Sequence, residues 1–134
     1  MLTRDQYYAT TVCAQVEGVA NDYPDKQDAF RKKYGGLAHK LPVLIRTAGL
    51  AQALAFVAAR GGEAGKCLLE HLAEALRFEN QNKLLEEFRK DDLDLNKYIY
   101  LTQQALAALL WYKRFAQSVL DVDQTQEVEL EVAA

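Results

Sequence analysis

Serine is almost absent from this chain: Ser118 is the only one among 134 residues, beside two prolines, two cysteines, two histidines and one methionine. Each scarcity excludes something. Ser118 stands in a helix-forming stretch with no Gly-x-Ser-x-Gly turn around it, which excludes a serine nucleophile on a strand–turn–helix elbow. Cys13 and Cys67 lie 54 positions apart, so no metal-binding or redox spacing joins them. They read as buried thiols in a reducing cytosol, and the expected location is cytoplasmic. No run approaches about eighteen uncharged apolar residues, so no membrane span is expected. MLTRDQYY at the start lacks the apolar stretch of a signal peptide. With turn-forming proline and serine so scarce, long elements are favoured.

What is present is an ordinary globular mixture, half apolar and about a quarter charged, which rules out an intrinsically disordered chain. A chain of this length makes one domain that buries roughly two-thirds of its unfolded surface. Its apolar residues recur at helical spacing. Thr3 and Gln6 form a capping-box pattern, and Tyr8, Val12, Val16, Val19 and Tyr23 follow as one face of a first helix. A second helix starts around Asp25, with Gly35-Gly36 either breaking or loosening it. Pro42 suits the first turn of a third helix, which runs through Gly49 to Gly61-Gly62 and is apolar almost all round. Residues 64–78 and Leu84, Leu85 and Phe88 predict two shorter helices. A last one starts near Asp94 and runs to Leu120, with Tyr98, Thr102, Ala105, Leu109, Tyr112, Ala116 and Val119 spaced four and three apart. The expected fold is all-α: a single-domain bundle of five to six helices over residues 1–120 with a long C-terminal helix. VELEV at 128–132 alternates apolar and acidic residues but is too short and acidic for a strand. Residues 121–134 read as an acidic, mobile tail whose removal should leave the fold unchanged.

The formal charge of −3 is unevenly distributed. Residues 31–66 carry seven basic side chains against Glu63 alone, and residues 95–120 carry Lys97, Lys113 and Arg114 with no acid. The last fourteen residues hold five acids and no base. Without them the body is +2, so the acidic total does not argue against a nucleic-acid partner.

Catalytic patterns are missing. Cys67 and His71, one helical turn apart, supply half a zinc site, but no further ligands stand at metal spacing, so no metal or other cofactor is expected. Gly61-Gly62-Glu63-Ala64-Gly65-Lys66 lacks Walker spacing and reads as a connection between helices. The pairs Glu86-Glu87 and Asp91-Asp92 sit among other acids in an exposed stretch, better suited to a solvated face than to acid–base work. The chain reads as a non-enzyme. Binding has more support. Arg46 and Arg60, fourteen apart on the expected third helix, should share a face, and Lys33 and Lys40, seven apart, align if their helix is continuous. Such residues either contact phosphates or merely solubilise the rim of an apolar helix, and the pattern alone leaves both open. Trp111-Tyr112-Lys113-Arg114-Phe115 mixes aromatic and basic residues as base-stacking surfaces do, although at helical spacing most of those rings belong to a core.

The pattern Leu41-Pro42-x-x-Ile45-x-x-x-Gly49-Leu50-x-x-x-Leu54-x-Phe56, entered from Tyr34, resembles the small helical subunit of the Cmr effector complex, the type III-B CRISPR–Cas ribonucleoprotein. Tyr98-x-x-x-Thr102-x-x-Ala105-x-x-x-x-x-Trp111-x-x-Arg114-Phe115-Ala116 is similar to the same family's C-terminal helix. The likeness spans residues 7–120. It implies a non-catalytic subunit in antiviral defence that stacks with copies of itself into a minor filament. Its other implied partners are the remaining Cmr subunits and the guide and target RNA held in the complex. Lys33, Lys40, Arg46, Arg60, Lys113 and Arg114 become the candidate contacts to the RNA backbone. The competing reading is a helical adaptor that meets an acidic protein and touches no RNA.

Overall fold

The computed structural model describes residues 2–88 and 94–123, and among these it contains six helices and no strand. Helix α1 (Arg4–Asp22) opens with the expected capping box. The Gln6 amide donates to Thr3 Oγ1 at 3.1 Å, and the Thr3 amide donates to Gln6 Oε1 at 2.9 Å. Tyr8, Val12, Val16 and Val19 form its buried stripe. Helix α2 (Ala29–Ala48) starts later than Asp25, because Asp28 caps it by accepting from the amides of Phe30 and Arg31.

The central stretch departs from expectation. α2 continues through Gly35-Gly36 and also through Pro42, which lies inside the helix instead of starting one. A proline there removes one hydrogen bond and costs about 3 kcal/mol in an exposed helix. Here Pro42 sits among Leu41 and Ile45 on the buried side of α2, where packing offsets that loss. The break comes at Gly49, whose φ of 90° and ψ of 159° belong to a region open essentially to glycine alone. Helix α3 (Leu50–Arg60) begins immediately after it. The Tyr98 hydroxyl accepts from the Ala51 amide at 3.1 Å, capping a first-turn donor that no side chain of α3 itself satisfies. Arg46 and Arg60 therefore end two different helices and do not share one face.

Gly61 alone joins α3 to α4 (Gly62–Ala75); the rest of the glycine-rich hexapeptide expected as a connection, Gly62 to Lys66, already forms the start of α4. The short α5 (Gln81–Glu87) is capped by Asn80 and packs on α4. α6 (Leu95–Ser118) is 24 residues long, about 36 Å at 1.5 Å per residue. It packs chiefly against α1 and α2, while α4 covers α1, α2 and α3. Arg31 at the start of α2 meets Val119 and Leu120 at the end of α6, and Ala51 meets Tyr98 at the other end. These contacts make α2 and α6 antiparallel. One core runs through all these helices and includes the fully buried Tyr34, Leu54, Leu69, Leu109 and Tyr112.

The core does not stop where α6 does. Leu120 and Val122 are 0 and 1% exposed, so a border at residue 120 leaves a core side chain outside. Removal of the chain from residue 121 onward would take that side chain with it. The remainder of the expected acidic, mobile tail, 124–134, lies outside the described residues.

Candidate nucleic-acid interface

Lys33 and Lys40 stand two turns apart on the continuous α2, separated by about 10 Å along its axis and on the same side. Lys40 is exposed and Lys33 half-buried, and Lys32, Val43 and Thr47 extend this solvent-facing side toward both ends of the helix. Arg46, in the last turn of α2, is exposed as well, but lies about 120° around the helix from Lys40. Its charge there also favours the carbonyl end of the helix.

The other three candidates are elsewhere. Arg60 ends α3 and turns its guanidinium over the Phe56 ring, 5.3 Å from the centroid. On α6, Arg114 lies 4.9 Å over Trp111, which stacks on Phe115 at 5.8 Å and donates from its indole N–H to Asp5 at 2.9 Å. Lys113 neighbours it at about 100° around the helix. Among the described residues, none of the six candidates is ion-paired to a carboxylate, whereas Lys26, Lys66, Lys83 and Lys97 are. The structure thus brings Lys33 and Lys40 onto one face with Arg46 at its edge, and leaves Arg60 and the α6 pair as separate positions. Of the aromatic run, Tyr112 is core, while Trp111 and Phe115 are half-buried and stacked.

Arg31 is what sequence reasoning missed. It counted as part of the basic segment, yet it is 5% exposed. Its guanidinium donates to the carbonyls of Leu120 at 3.0 Å, Val119 at 3.2 Å and Tyr23 at 3.1 Å. It thereby ties the carbonyl ends of α6 and α1 to the start of α2. The signal was available: Arg31, Gly35, Ala38, Pro42 and Ile45 follow one another at spacings of four and three along the buried stripe. His39, one turn beyond Gly35, is also buried, and its Nε2 lies 2.8 Å from the carbonyl of Val122.

Cys67 and His71 do meet, with Sγ and Nε2 3.7 Å apart. No third His, Cys, Asp or Glu joins them in a metal-holding group among the described residues. Tyr34 OH lies 2.6 Å from His71 Nδ1. Gln15 donates to the His71 carbonyl at 3.0 Å and accepts from the Tyr112 hydroxyl. Burial pushes the Cys67 thiol up and the His71 imidazole down. Both shifts favour the neutral forms, the reverse of the thiolate–imidazolium pairing of an activated cysteine. The cluster satisfies buried polar groups between α1, α2, α4 and α6.

All six helices fall within the reach of one family model. The model described as CRISPR-associated protein (Cas_Cmr5) matches residues 4–119. The chain belongs to the Cmr5 family. Within it, the chain is similar to the CRISPR system Cmr subunit Cmr5 of Thermus thermophilus, at 41% identity over 121 residues, 90% of this chain and 99% of that protein. It is also similar to the crystal structure of a CRISPR-associated Cmr5 family protein from Thermus thermophilus. That match has a TM-score of 0.77 at 41% identity and covers 89% of this chain and 98% of the other. The stretch matched by the Cmr5 model contains all six basic candidates and ends at the turn where α6 gives way to Leu120 and Val122. No helix among the described residues is long and apolar enough to cross a membrane.

Proposed function

We propose that this Cmr5-family chain is a non-catalytic small subunit of a type III-B CRISPR RNA-guided effector complex in the cytoplasm. It stacks with copies of itself into the minor filament and holds guide and target RNA through backbone phosphates. The observation that carries the RNA part is the basic side of α2: Lys33 and Lys40 aligned, Arg46 at the edge, and no carboxylate paired to any of them among the described residues. Unpaired cations on a rigid helix fit phosphates whose sequence is read by base pairing and not by the protein. Three neutralised phosphates give a salt slope of roughly −2, weak for one copy, and stacked copies multiply it through effective concentration.

The stacking part is supported by the outward side of α6, where Leu95, Ile99 and Leu110 are 69, 46 and 45% exposed. That same face favours the second reading, an adaptor that binds proteins and leaves RNA alone. Reassembling the complex with Lys33, Lys40 and Arg46 all changed to Glu separates the two. Assembly should survive and target RNA should be held about tenfold more weakly at low salt. Unchanged retention by a fully assembled complex means the adaptor reading is correct.

A further inference from the structure

After α6 the chain turns at Asp121, where φ is 60°, and lies along α2. The successive contacts define its heading. The carbonyls of Val119 and Leu120 meet Arg31, the Val122 side chain sits on Gly35, and the Val122 carbonyl meets His39. Gly35 is required for this approach: a Cβ there would stand 2.6 Å from that of Val122. The strap therefore runs in the direction of α2 itself, toward its C-terminal end. Next along the same ridge stand Val43, 55% exposed, and the exposed Arg46, with Lys40 beside them. The ridge from His39 to Arg46 is about 10 Å long.

Eleven residues follow Asp123, and they include Glu127, Glu129 and Glu131 alternating with Val128, Leu130 and Val132. In an extended chain that alternation sets the carboxylates on one side and the apolar residues on the other. Five extended residues span about 16 Å, enough to bring Glu127 from the Val122 anchor to Arg46. Heading, reach and charge agree. We propose that residues 124–134 dock in cis on the Lys40–Val43–Arg46 side of α2, with their carboxylate side turned to the two cations. Docked there, the tail occupies the positions assigned above to RNA phosphates and acts as an internal competitor for them. The competition rests on the proposed RNA reading; the docking does not.

Two measurements on the full-length chain test the halves separately. Zero-length carbodiimide coupling of a mixture of isotopically labelled and unlabelled protein should join Lys40 to Glu127, Glu129 or Glu131 within one chain. Coupling of those glutamates only to lysines off α2, only between chains, or not at all overturns the docking. In the second, binding of a short single-stranded RNA at low salt is compared for the native chain and the variant Glu127→Gln/Glu129→Gln/Glu131→Gln. The variant should bind about fivefold more tightly, and the gain should vanish when Lys40→Glu and Arg46→Glu are added. Equal RNA affinity of native and variant chains overturns the competition. Absence of RNA binding by both chains overturns the phosphate reading and the competition together, with the coupling result still deciding the docking.

Discussion

Arg31 and Lys40 are nine positions apart on one helix and do opposite things, because one points into the bundle and the other out of it. Arg31→Ala leaves the carbonyls at the ends of α1 and α6 without their donor in a buried setting, and should cost about 3 kcal/mol in denaturant unfolding. Changing Lys40 to alanine should move stability by less than about 0.5 kcal/mol. The basic character of residues 31–66 was legible in the sequence, but the sorting of its cations was not, since charge counts carry no direction. His71 gives a pH signature. Burial lowers its pKa below the ordinary 6.5, against a smaller upward pull from Glu74 and Glu70. The folded chain then binds a proton less readily than the unfolded one, so stability is full above about pH 6.5 and falls as pH drops from there toward the folded value. Urea unfolding between pH 7.5 and 5 should show this slope, and His71→Asn should flatten it even if its stability is lower throughout.

Elements were read correctly wherever one apolar stripe met a recognisable cap. α1 and α6 follow their spacing, the Thr3 box forms as expected, and α6 starts next to Asp94, where the structure adds an N-cap. The middle failed for a specific reason. Proline and glycine weigh about 3 and 1 kcal/mol in an isolated helix, so Pro42 read as a start and Gly49 as a tolerated interior residue. Packing on both sides of α2 reverses the ranking: the helix absorbs Pro42, while the bend needed to lay α3 alongside falls on Gly49. Gly49→Ala should therefore destabilise by about 2 kcal/mol or more, seen as a lower Tm, because alanine is strained at that φ and ψ and its Cβ would meet the Tyr98 hydroxyl at 3.3 Å. Gly35→Ala tests the strap. In an exposed helix it would add about 1 kcal/mol; here it should cost about 1–3 kcal/mol by pushing Val122 away. Adding Val122→Ala should recover part of that loss, and a strictly additive double mutant would refute the contact.

Across the whole molecule, the strap makes the C-terminal end of the chain two different things. Ending the chain after Leu120 removes Val122 from the core and the acceptor from His39, and should lower stability by about 2–3 kcal/mol. Ending it after Asp123 keeps both and should cost less than about 1 kcal/mol, the small contribution of exposed ion pairs from the docked segment; calorimetry on the two truncations distinguishes them. An all-α bundle of five to six helices, a long last helix, a +2 body carrying acidic terminal residues and the likeness to the Cmr small subunit all followed from the sequence by itself. Helical periodicity, caps and charge are properties of neighbouring residues, which a linear reading captures. The sequence also supplied the six candidate cations. Tertiary structure alone decided that Lys33, Lys40 and Arg46 gather along α2 while Arg60 and Arg114 lean on rings elsewhere. It decided, too, that Arg31 is a clamp and that the strap points along α2. Those outcomes depend on contacts between residues about ninety positions apart, such as Arg31 with Leu120, and packing energy between distant segments leaves no local mark in the sequence that makes them.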